Sequence, residues 1–205
     1  MPKQKITKEM VIDAAFELAR SGGMEQVKVK NIAEKLGCSV QPVYSYCQNM
    51  KGLRSDVAAQ AKRFIQKYIT SHIDQNDLFC STGQAYVQIA KDEPHLFRIF
   101  IFQERNCISS LDEFYRQEAS PHIAGKIADT LDIRMENAQW LHLNMLIYTI
   151  GIGTIFSVAS PGIPAKEIYL QQEQAYQAFL KAAQARNENQ ENKRDKYEGK
   201  NFSNL

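Results

Sequence analysis

Apolar residues recur at three- and four-residue intervals along almost the whole chain, the spacing of helices that each bury one face. Strict alternation, the mark of a half-buried strand, is confined to residues 27–30 and is too short to carry a sheet. The pattern therefore predicts an all-α fold. Val11, Ala14, Ala15 and Leu18 form the first stripe. Thr7 ahead of it is a good N-cap, and Ile6 with Val11 has the spacing of a hydrophobic staple. Ser21-Gly22-Gly23 ends the helix, because glycine reaches the left-handed cap conformation cheaply. Two short helices are expected over 29–36 and 40–47, joined through Gly37. Ser39 is placed to cap the second, and Pro42 lies in its first turn, where a missing N–H is harmless. A longer helix begins near Lys51 and passes through Leu53, Val57, Ala61, Phe64, Ile65 and Tyr68.

Further helices are predicted over 78–90, from Pro94 through Phe102, over 111–131 with a break at Ser120-Pro121, over 137–156, and over 167–185 after the loop 160–164. After Arg186 the sequence turns polar. It is expected to stay disordered, since it buries too little to offset its ordering entropy. The chain thus divides into a head over 1–52, a helical body over 53–186 and a tail over 187–205.

Composition adds little until it is divided. With 205 residues, 44% hydrophobic and 23% charged, the chain has ordinary globular values and a net charge of only +2. Residues 1–70, however, hold 12 Lys and Arg against 6 Asp and Glu, a net of +6, while the remainder is net −4. A basic front suits a polyanionic partner. The four cysteines, Cys38, Cys47, Cys80 and Cys107, form no C-x-x-C pair and are expected to be free thiols in a reducing compartment. The N-terminus has no signal-peptide core, and the longest apolar stretch, 145–159, is short for a membrane span. A cytoplasmic, soluble protein is the expectation.

The informative segment runs from Ile32 to Tyr44. Two short helices around a glycine turn bury little between themselves and need the first helix as a third wall, which presents the second of them outward as in a helix-turn-helix. Val43 faces inward with Ile32 and Leu36. Val40, Gln41, Tyr44 and Ser45 then face out. The Gln41 amide matches the edge of adenine, and Val40 and Pro42 suit a thymine methyl. Ser39, Tyr44, Tyr46 and Lys51 suit phosphates, which position without reading sequence. Lys30 is placed to reach the backbone or a base.

From Thr7 to Leu53 the chain resembles the DNA-binding domain of the TetR family of bacterial transcriptional regulators. The residues that carry the resemblance are Ala14-Ala15 with Leu18, Ser21-Gly22-Gly23, Ile32-Ala33, Leu36-Gly37-Cys38-Ser39, Val43-Tyr44 and Asn49-x-x-x-Leu53. Three positions depart from the family pattern: Lys28 stands where a capping Thr is usual, Cys47 where an aromatic is usual, and Met50 where a phosphate-binding Lys is usual. Lys51 takes over that last role. The resemblance implies a homodimer on a palindromic DNA operator, most often a repressor, released when a small-molecule effector binds the body. The recognition helices would then sit about 34–36 Å apart, with the helix over 51–68 as the connecting lever.

In the body, the aromatic-rich pattern suggests an apolar pocket. Phe64, Tyr68, Phe97, Phe100 and Phe114 are its candidate walls, although each also fits a helix-bundle core. His142, Asn144 and Tyr148 interrupt an otherwise apolar helix and, with Met145, are candidates to orient a ligand, or else face solvent or a partner. Gly151 and Gly153 in that helix suggest close helix packing in a dimer, or a bend. No metal-ligand spacing, phosphate loop, dinucleotide fingerprint or nucleophile elbow is present, so no cofactor and no enzyme activity are expected. Two other readings stay open: a redox- or metal-responsive regulator of the same fold, and an adaptor that uses its head against a protein.

Overall fold

The computed structural model describes residues 6–46, 49–74, 77–102, 108–119, 121–159 and 162–201. Among them there is no strand, and the protein is all-helical. The helices are α1 Lys8–Gly22, α2 Val29–Lys35, α3 Val40–Tyr46, α4 Met50–Ser71, α5 Leu78–Asp92, α6 Pro94–Ile101, α7 Leu111–Glu118, α8 Pro121–Leu131, α9 Met135–Ala159 and α10 Ala165–Asn201, with a single 3-10 turn at Met24–Gln26.

The chain forms two compact units. The first comprises Met1–Glu104 and Ile150–Gly162, the second Arg105–Thr149 and Ile163–Leu205. The helices α4, α5 and α6 thus fall in the same compact unit as α1–α3. The reason lies in one shared core. Val11, Ala15 and Ala19 of α1, Ile32 and Ala33 of α2, Val43 of α3, and Leu53 and Val57 of α4 form a single buried cluster, and Ile99 of α6 packs against it. Burying each Val, Leu or Ile of this cluster contributes about 1.5–3 kcal/mol, so the cluster binds four helices into one unit.

Local chemistry sets the helix ends. The Thr7 hydroxyl accepts from Met10 N at 3.3 Å, as its capping chemistry requires. Lys28 stands at the N-cap of α2 and makes no capping bond. Asn49 caps α4, accepting from Gly52 N at 2.6 Å. Between α2 and α3, Gly37 has φ +63°. Its N–H donates to Glu34 O and that of Cys38 to Ala33 O, the two bonds of a Schellman cap, which needs a left-handed residue at this place.

In the second unit, Ala124, Ile127, Ala138, Leu141 and Met145 are buried. Two helices are longer than expected. The α9 helix has 25 residues, about 37 Å. Over Met135–Val158 it is long and apolar enough, by length and composition, to cross a membrane, and a third of that window is buried within the protein. The α10 helix continues past Arg186 to Asn201, against the expectation of disorder from residue 187. Asn187 is itself buried: its Oδ1 accepts from Arg134 N at 3.0 Å and from Asn137 Nδ2 at 3.2 Å. Gln190 Oε1 accepts from Asn137 Nδ2 at 3.0 Å. Composition hid this because polar residues here are buried by pairing with one another, which a hydrophobicity count does not register.

Candidate nucleic-acid interface

The α3 helix has seven residues and one fully buried side chain, Val43. That single anchor orients the rest. Val40, Gln41, Tyr44 and Ser45 are exposed; Val40 is 44% and Tyr44 59% accessible. Ser45 Oγ donates back to the Gln41 backbone carbonyl at 3.1 Å. Pro42 is half-buried, and Ser39 is exposed just before the helix. Lys30, in the first turn of α2, and Lys51, in the first turn of α4, are both exposed.

Tyr46 departs from its expected place. Three residues after Val43, it shares the inner side of α3, is half-buried and packs against the core cluster. It lines a groove of about 370 Å³ together with Val11, Leu53 and the pair Lys8–Asp56, whose Nζ–Oδ2 distance is 3.6 Å. Cys47, which departs from the family pattern, lies outside the described residues.

The candidate effector residues separate into the two units. Phe64, Tyr68, Phe97 and Phe100 are in the first; Phe114, His142, Asn144, Met145 and Tyr148 are in the second. Phe97 is fully buried and Phe100 nearly so, with ring centroids 6.5 Å apart, and both fill core. Phe64 lies between Phe16 and the Arg20 guanidinium. The Tyr68 ring stacks on His72 at 4.1 Å. Phe114 is half-buried, and Met145 is buried. Asn144 Nδ2 donates to Trp140 O within its own helix at 2.8 Å, and Tyr148 donates to Gln171 O at 3.4 Å.

His142 has the most distinctive surroundings of this set. Its Nδ1 lies 2.9 Å from the Tyr115 hydroxyl, with the two rings edge to face. Burial pushes the His142 imidazole down to about 4 and the Tyr115 phenol up to about 12. Both groups are therefore neutral near pH 7, with the phenol positioned to donate to the ring nitrogen. Tyr115 was visible in the sequence only as one aromatic among many; no local spacing links it to a residue 27 positions away.

Cys38 and Cys80 are half-buried, and Cys80 Sγ accepts from Gln84 Nε2 at 3.2 Å; Cys47 and Cys107 lie outside the described residues. Among the described residues no group of three His, Cys, Asp or Glu side chains is arranged to hold a metal. No protein-family model and no curated protein matches the chain.

Proposed function

We propose that this protein is a DNA-binding transcriptional regulator of the TetR type, acting as a homodimer on a palindromic operator as a repressor that a small-molecule effector releases. One observation carries the reading: an exposed short helix, α3, held from behind by buried Val43 and offering Val40, Gln41, Tyr44 and Ser45 outward. Exposed Val and Tyr side chains on a helix of a basic segment suit base edges and sugar–phosphate backbone together. The head is then a helix-turn-helix, with α2 and α3 as its pair and α1 as the supporting wall.

The homodimer is supported by α9. Ile147, Gly151, Ile155 and Val158 are exposed at helical spacing along it, and nothing stands within 4 Å of a Cβ built on Gly151. A small residue within an apolar stripe suits the close approach of a second helix. Asn137, Thr149 and Ser157 are buried polar residues of the same helix, which suits a helix packed in protein better than one surrounded by lipid.

The test is selection of duplexes from a random pool, followed by binding of the selected duplex at several salt concentrations. Affinity is expected to fall steeply with salt, as counterion release requires. Tyr44→Ala should weaken binding to all duplexes about equally, whereas Gln41→Ala should relax preference at one position per half-site, by about 1–3 kcal/mol. A protein that selects no duplex, or whose Tyr44→Ala variant binds like the wild type, sinks the reading.

A further inference from the structure

Arg20 stands in the last turn of α1, and Glu93 occupies the junction between α5 and α6, 73 residues away. Arg20 Nε donates to both Glu93 carboxylate oxygens at 2.9 Å, and its Nη2 donates to Oε1 as well. The Glu93 side chain is only 14% exposed. Beside the pair lies Phe64 of α4, its ring centroid 5.1 Å from the guanidinium carbon, with the Phe16 ring 6.0 Å beyond. Three helices, α1, α4 and α6, therefore meet at one ion pair.

The α6 helix has only eight residues and is pinned on two sides. Toward α1–α3 it is held by Glu93 just before its first turn and by Ile99 against the core cluster. On the other side the Phe97 ring is wedged against Gly153 of α9. A continuous chain of contacts thus runs from α9 through Phe97 and Glu93 to Arg20 and the end of α1. From the end of α1 six residues, 23–28, lead to the start of α2.

An ion pair of this kind adds little net stability, because desolvation offsets much of the attraction. Its planar fork nevertheless fixes distance and orientation together, and removing one partner strands a partly buried charge. The pair constrains geometry more than it stabilises the fold.

We propose that the Arg20–Glu93 pair is the joint through which α6 and the α1–α3 cluster set each other's position, so that events at the DNA face and in α6 are energetically coupled. Both are positioning residues; neither lies on the exposed face of α3. The inference rests on the DNA-binding reading above. Coupling of this kind is reciprocal, so DNA alone serves as the probe and no effector is needed.

The experiment is hydrogen exchange of the full-length protein, free and saturated with the selected duplex, read in peptides covering Pro94–Ile101. In the wild type, DNA is expected to slow exchange in α6 by about 5-fold or more, the lower end of ordinary coupling strengths. In Glu93→Gln the duplex still binds, and the α6 response is lost. Arg20→Lys keeps the charge but loses the fork, and is expected to lose the response too; it serves if Glu93→Gln does not fold. A full wild-type response in either folded variant overturns the proposal. So does a wild type that binds the duplex with no change in α6. A wild type that selects no duplex overturns the DNA reading instead, which separates the two failures.

Discussion

Gly153 of α9 lies directly against Phe97 of α6: a Cβ built on the glycine would stand 2.5 Å from the ring Cζ and 2.9 Å from Cε1. Phe97 is fully buried, so its ring has no exit. Gly153→Ala is therefore expected to destabilise the protein by about 1–3 kcal/mol, although alanine is the better helix former. Combining it with Phe97→Leu should recover part of the loss. Urea unfolding of the two variants checks this, and an alanine variant as stable as the wild type would show that the helices separate easily there.

Acidification should unfold this protein partly through His142. Its imidazole is held down to about 4 by burial, against an ordinary value of 6.5. Between those values the unfolded chain binds a proton that the folded chain refuses. The stability is full above about pH 6.5 and falls as pH drops toward 4, by up to about 3 kcal/mol. His142→Gln should flatten that part of the profile of unfolding free energy against pH. An unchanged slope in the variant would place the titration elsewhere.

A charge on the outer stripe of α9 should separate subunits without unfolding them. Ile155 is 56% exposed, so Ile155→Glu costs the monomer little. In a dimer it would put a charge into a dry contact, at several kcal/mol. Light scattering is expected to give twice the chain mass for the wild type and the chain mass for the variant, with similar helical circular dichroism. A wild type of single-chain mass at micromolar concentration contradicts the dimer.

Truncation separates two parts of the C-terminal segment. A chain ending at Arg186 loses Asn187 and Gln190 and leaves the Asn137 amide group, fully buried, without either acceptor. An unpaired buried donor costs about 1–3 kcal/mol, so a clear fall in melting temperature is expected. A chain ending at Gln190 keeps both acceptors and should melt above the shorter one. Equal melting temperatures would mean that the amide cluster contributes nothing.

Much of the N-terminal cluster was legible in the residues themselves. The Thr7 cap, the glycine stop of α1, the turn at Gly37 and the inward Val43 all follow from rules that act within a few residues. Tyr46 follows Val43 by three residues, and that helical spacing makes it half-buried against the core cluster. From the sequence, Gly151 and Gly153 together suggest close helix packing or a bend. The structure separates them, since positions two apart on a helix point in different directions: Gly153 meets Phe97 of the same chain, and Gly151 faces outward.

By itself the sequence determined the helical class, most helix boundaries and the face of α3 that points outward, because propensity, capping and the 3.6-residue period are local. Tertiary structure alone decided that α6 belongs with α1, that Arg20 meets Glu93, that His142 meets Tyr115, and that Asn137 holds α10 beyond Arg186. These partners lie 27 to 73 residues apart, and a contact at that separation exists only once the intervening chain has closed around it.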